Sequence, residues 1–167
     1  MKHKVIRYIK YSAVAVVCVF MTACAKVFPN GDLDNFWRLN TIEYTAGTDF
    51  EGNPCNIDTC IGRAYYSFAM DLVEIDYHDI SSYYSMIGAM TRMQDSILID
   101  FSVYNDEHQS GFVPDGGDHS IHTPADILKY VRMCGMETLK EKFAIDKLDS
   151  QSMILSNSKV ILTFEKW

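Results

Sequence analysis

The sequence predicts an all-β fold, an antiparallel barrel of about eight strands with one late α-helix, and three observations predict it. Apolar and smaller or polar residues alternate with a period of two along most of the chain. The alternating runs are joined by short polar turns such as Arg92-Met93-Gln94-Asp95 and Ser156-Asn157-Ser158, which suit antiparallel neighbours. A single segment after residue 123 changes to helical spacing.

Taken in order, Ala25 to Asp34 reads as a tether, because Pro29, Asn30 and Gly31 break any regular pattern. Phe36 to Tyr44 is the first strand. Arg63 to Met70 alternates Tyr66, Phe68 and Met70 against smaller residues, and Val73, Ile75 and Tyr77 alternate with Glu74 and Asp76. Tyr84 to Arg92, Ile97 to Val103, Lys142 to Leu148, Met153 to Ser156 and Val160 to Trp167 complete the series. For the helix, Thr123 caps, Pro124 takes the first helical position, Asp126 suits the positive end of the helix, and Gly135 closes it. Ile127, Leu128, Val131 and Cys134 form its apolar face, which needs a barrel end or sheet face to cover.

The N-terminus reads as an address. Residues 1–10 hold four basic side chains and no acid, and Tyr11 to Phe20 is an apolar run of signal-peptide length. Met21-Thr22-Ala23-Cys24 resembles the lipobox of bacterial lipoproteins, which implies cleavage before Cys24 and lipidation of its thiol. A transmembrane helix is the competing interpretation, but only 15 residues separate Lys10 from Lys26 where a span needs about 20. The expected organisation is a signal peptide over 1–23, a lipid-anchored tether over 24–35 and a barrel domain over 36–167. Ala25 is not the aspartate associated with inner-membrane retention, so the outer membrane is the expected address.

Composition and charge narrow the partners. At 48% hydrophobic and 13% aromatic, the chain has ample material for one core. Loss of Lys2, Lys4, Arg7 and Lys10 takes the formal charge from −7 to −11. Nucleic acid is excluded as a partner, since the remaining basic residues are scattered among acidic ones.

Gly31-Asp32-Leu33-Asp34-Asn35-Phe36-Trp37-Arg38-Leu39, the helix segment Tyr130-Val131-Arg132-Met133-Cys134-Gly135, and the closing Met153-Ile154-Leu155 with Leu162-Thr163-Phe164-Glu165-Lys166-Trp167 resemble the lipocalin-like domains of many Bacteroidetes lipoproteins. The resemblance implies a lipocalin-like barrel over nearly the whole mature chain. Lipocalins proper have a glycine two residues before the first-strand tryptophan and a late arginine packed over it. Here Asn35 and Lys166 stand in those places, and Asn tolerates the left-handed conformation while Lys can lie over an indole.

Several residues are candidates for chemistry. Cys55 and Cys60 are separated by four residues in a loop region with Gly52 and Pro54, and a disulfide is the leading reading with two free thiols as the alternative. Cys134, on the apolar helix face, reads as a buried inert thiol. Asp106, Glu107, His108, Asp115, Asp118, His119 and His122 gather carboxylates and imidazoles, but their spacing matches neither a calcium loop nor a zinc protease helix, so no metal is expected. Trp37, Tyr66, Phe68, Met86 and Met90 are the candidate lining of an apolar ligand site, although core filling is the commoner use of methionine. No nucleophile elbow, phosphate loop or convergent carboxylate pair is present, so neither enzymatic activity nor a cofactor is expected. Two functions lead, a barrel that holds a small apolar ligand and an accessory subunit of an outer-membrane protein assembly that uses an exposed face of the barrel; a third, a hydrolase whose site assembles from distant residues, would require perturbed titratable groups converging in a cleft.

Overall fold

The alternation seen in the sequence is realised as a closed wall. The computed structural model describes residues 30–60, 63–78, 83–102 and 124–167. Among them run β1 (Phe36–Tyr44), β2 (Ile57–Thr59), β3 (Ala64–Ala69), β4 (Leu72–His78), β5 (Tyr83–Arg92), β6 (Ser96–Asp100), the helix α1 (Pro124–Met133), β7 (Lys140–Leu148), β8 (Ser152–Ser156) and β9 (Val160–Lys166). Strands β3 to β9 pair antiparallel in sequence order, and β9 pairs back on β1. The remaining edge of β1 is shared: β3 pairs with Phe36–Arg38, and β2 with Thr41–Glu43. The short β2 therefore prolongs the position of β3, and the barrel is eight strands round with one extra strand.

Two β-bulges keep apolar residues inside. The ladder between β1 and β9 steps from Leu39 to Thr41, so Asn40 is an inserted residue. Without it the inward phase set by Trp37 and Leu39 would continue to Thr41 and Glu43; with it, Ile42 and Tyr44 are the buried residues. The ladder between β7 and β8 likewise shifts between Ile145 and Lys147.

The two ends of the barrel are built differently. At one end a 3-10 turn, Gly31–Leu33, crosses ahead of β1 and buries Leu33, whose carbonyl accepts the indole N–H of Trp37 at 3.1 Å. The β3–β4, β5–β6 and β7–β8 turns and Trp167 lie at this end. At the other, α1 packs on the barrel through its C-terminal turn. The Met136 N–H donates to the Val131 carbonyl and the Gly135 N–H to that of Arg132, with Gly135 at φ 95°, which is a Schellman motif. Val131 and Met136, the apolar pair of that motif, are fully buried.

Most expected elements are present, with informative differences. Met70, expected to end a strand, is a hairpin-loop residue at φ 57°. Asn35 does not take the left-handed conformation; Gly31 does, at φ 61°, and the Asn35 side chain instead donates to the Asp32 carbonyl. Strand β2 is not among the expected strands, because Ile57, its one apolar residue, points out to solvent and three edge residues carry no alternation to read. The expected helix cap Thr123 and the residue Val103 lie outside the described residues.

Candidate ligand site in the barrel interior

The inward side chains of β1, β3, β4 and β5 line up in rows fixed by the strand register. Trp37 pairs with Tyr66, Tyr66 with Ile75, and Ile75 with Met86, so these four form one continuous row across the wall. Phe68, Val73 and Gly88 form the next row. Gly88 leaves a gap that the Phe101 ring fills, since a Cβ there would lie 2.7 Å from Phe101 Cδ1. Met90 faces Ile99 beyond that row. All five residues expected to line a ligand site thus point into one interior. Trp37 and Tyr66 have no exposed surface, and Phe68, Met86 and Met90 keep only 2–3%.

Tyr66 is the hub of this interior. Its ring meets Phe164 edge-on at 5.0 Å, and its hydroxyl donates to the Cys134 carbonyl at 2.7 Å, joining the barrel wall to the end of α1. Burial pushes the phenol well above its ordinary range, so it is a neutral donor at any physiological pH. The buried carboxylates among the described residues, Asp34 and Asp100, are engaged near the barrel ends. Asp34 accepts from the backbone and side chain of Asn30, and Asp100 pairs with Lys140 at 2.6 Å. The described interior is therefore apolar apart from the hydroxyls of Tyr44, Tyr66 and Tyr77, the bonded indole N–H of Trp37 and two thiols, an environment for hydrocarbon or aromatic matter rather than for ions.

An aromatic cluster absent from the sequence-based expectations stands where α1 meets the wall. Tyr130 of α1 stacks on Tyr84 with ring centroids 4.1 Å apart and tilts toward Tyr77 at 6.1 Å. The alternation places Tyr77 on the inner face, but the contact with Tyr130 depends on how the helix docks, which periodicity does not specify. The late cation also differs from expectation. Lys166 is the cross-strand partner of Trp37 and is exposed. The guanidinium found over an indole is that of Arg38, 5.1 Å from the Trp167 ring and paired with Glu165.

The cysteines correct one expectation. Cys55, Cys60 and Cys134 are free thiols, so the expected Cys55–Cys60 disulfide is not formed. The reason lies in β2. Tyr44 N–H donates to the Asn56 carbonyl and Cys60 N–H to that of Asn40, which stretches the intervening segment along β1. The four residue steps from Asn56 to Cys60, extended along β1, already span about 13 Å, with Cys55 one residue further back, beyond the roughly 7 Å between Cα atoms that a disulfide tolerates. Cys60 instead turns inward beside Arg63, and burial pushes its thiol up to about 12; burial also raises Cys134, as expected of a thiol on the apolar helix face. Cys55 is half-buried. At pH 8 a thiol of pKa near 12 is about one part in 10⁴ thiolate, so Cys60 is expected to react with a disulfide reagent on the order of 10³-fold more slowly than an ordinary cysteine, and the fully buried Cys134 is also expected to react slowly. In urea all three should react alike. Timed labelling followed by peptide mass mapping reads this directly, and a Cys55 that labels only after reduction would contradict the free-thiol arrangement.

Cys24 and the cluster from Asp106 to His122 lie outside the described residues. Among the described residues no group of three or more His, Cys, Asp or Glu side chains is placed to hold a metal ion.

Comparison with known proteins agrees with this architecture. A lipocalin-like protein from Bacteroides uniformis ATCC 8492 matches 82% of the chain and 100% of its own at 16% identity, with a TM-score of 0.54. An uncharacterized protein from Bacteroides eggerthii DSM 20697 matches 80% of the chain and 98% of its own at 18% identity, with a TM-score of 0.57. No curated protein matches the sequence. The family described as "Lipocalin-like domain" matches residues 19–167, and with the closed barrel and late helix in place, the chain belongs to that lipocalin-like family.

Proposed function

We propose that this chain is a non-enzymatic, lipid-anchored protein of the cell envelope, held through Cys24 to the outer membrane, whose barrel accommodates a small apolar ligand. The observation that carries the ligand is the interior itself. Aromatic and methionine side chains from four adjacent strands face one space, and the buried carboxylates of the described residues are engaged elsewhere. An eight-stranded barrel is just wide enough to hold one small molecule when its side chains yield, and Met86 and Met90, unbranched and adaptable, are the ones best suited to yield. The anchor is supported by the lipobox-like Met21-Thr22-Ala23-Cys24 behind a basic and then apolar N-terminus.

Native mass spectrometry on the protein purified from its own envelope, against the denatured mass, tests the ligand. The expected result is an added mass on the order of a few hundred daltons, lost on denaturation. A bare polypeptide mass would overturn the ligand and favour the other reading, an accessory subunit of an envelope assembly. The denatured mass also reports the acyl chains on Cys24.

A further inference from the structure

We propose that the end of the barrel bearing the 3-10 turn is seated on the bilayer surface, with Met70, Leu72, Met93 and Trp167 reaching into the boundary between headgroups and acyl chains. The proposal rests on the lipid anchor at Cys24, and adds to it an orientation and a contact face. The first observation is where the chain emerges. The Asn30 side chain donates to the Met70 carbonyl at 2.6 Å, and Arg92 donates to the Asn30 carbonyl, so Asn30 is clamped between the β3–β4 hairpin and the end of β5. Six residue steps separate Cys24 from Asn30, a reach of at most about 20 Å even fully extended. A tether this short keeps the clamped end at high effective concentration next to the lipid, so contacts too weak to bind a free protein suffice to orient an anchored one.

The second observation is what that end displays. Met70 is 71% exposed, Trp167 63% and Leu72 52%, with Met93 at 37% in the neighbouring turn. Ile87 lies along the outer wall, diagonally across the ladder from Leu72, while Ile57 and Met133 are exposed toward the other end. Single exposed apolar side chains are ordinary on soluble proteins, but Met70 is not ordinary. It holds φ 57° at the first position of a two-residue hairpin loop, where glycine or asparagine sits without strain. The most exposed large apolar side chain of the described residues is thus kept in a strained backbone position, beside the point where the tether leaves. Trp167 adds a ring suited to an interface that is apolar on one side and wet on the other.

Charge chooses the lipid. At this end Asp32, Asp71, Asp95, Asp149 and Glu165 stand against Arg38, Arg92, Lys147 and Lys166, and two of these cations are already paired, Lys147 with Asp149 at 3.2 Å and Arg38, over Trp167, with Glu165. The face therefore has no basic cluster to hold anionic headgroups, and the chain behind it carries a charge of −11 once residues 1–23 are removed. The seat fits zwitterionic lipid and is weakened by anionic lipid.

The test uses the processed, lipid-bearing protein reconstituted in phosphatidylcholine vesicles with brominated acyl chains, reading tryptophan fluorescence. Trp37 is enclosed in the barrel, so quenching reports Trp167. Quenching is expected in these vesicles, lost in Trp167→Phe, reduced several-fold in the Met70→Asn, Leu72→Gln double variant, and reduced when phosphatidylglycerol is mixed in. Asparagine at 70 relieves the backbone, so a loss of quenching there cannot be assigned to unfolding. Unquenched Trp167 in a protein whose mass carries the acyl chains would overturn the seat and leave the anchor standing. A mass without acyl chains would overturn the anchor, and the seat with it. Quenching that persists in Trp167→Phe, or is unchanged in the double variant, would overturn this choice of face.

Discussion

Trp37→Ala is expected to lose about 4 kcal/mol of stability, a large share of the roughly 5–15 kcal/mol that holds a domain together. Trp37 heads the buried volumes of the core, has no exposed surface, and stands in the row with Tyr66, Ile75 and Met86. Its removal also orphans the Leu33 carbonyl, which accepts the indole N–H and ties the 3-10 turn to β1. Trp37→Phe separates the two effects: most of the volume stays, the donor goes, and the expected loss is about 1–2 kcal/mol. Urea denaturation measures both, with a midpoint shift of about 2 M for the alanine variant. A loss below about 1 kcal/mol for alanine would mean that the surroundings collapse readily into the vacated space. That outcome would make the surroundings of Trp37 the yielding part of the barrel, and would move the expected ligand position toward Trp37 and away from Met90.

Much of this arrangement is legible in the sequence because alternation is a local property. Trp37, Tyr66, Phe68, Met86 and Met90 can each be assigned to the inner face from their own neighbours. Their partners cannot, because a row such as Trp37–Tyr66–Ile75–Met86 depends on the register of three separate strand pairs. Alternation marks Ile75, in the middle of that row, as a strand residue but does not single it out as lining. The Cys55–Cys60 pairing fails for a related reason. Closeness in sequence is not closeness in space, and a three-residue strand with one outward apolar side chain holds the two apart. The contacts of Tyr130 with Tyr84 and Tyr77 belong to helix docking, a tertiary event with no periodic signature. The helix ending is legible, since glycine after an apolar helical stripe has few other uses.

That glycine leads to the second large effect. Gly135→Ala is expected to cost about 2–4 kcal/mol from two additive sources, a left-handed backbone forced on an L-residue and overpacking of the core. The backbone there holds φ 95°, and an added Cβ would lie 2.4 Å from Leu162 Cδ2 and 3.4 Å from Ile42 Cγ1. Leu162 and Ile42 are themselves fully buried and are cross-strand partners on the adjacent strands β9 and β1. Gly52 isolates the first source, because it holds φ 88° with nothing within 4 Å of its would-be Cβ. Gly52→Ala should therefore cost only the backbone strain, about 1–2 kcal/mol, and the excess at Gly135 measures the overpacking. Leu162→Ala tests the assignment by a double-mutant cycle. Alone it should cost about 2–5 kcal/mol as a core truncation; combined with Gly135→Ala the two losses should fall short of their sum by at least about 1 kcal/mol. Strict additivity would mean that α1 shifts away from β1 and β9 to admit the new methyl group. The link from Tyr66 to the Cys134 carbonyl, one residue before Gly135, would then be the first contact to break.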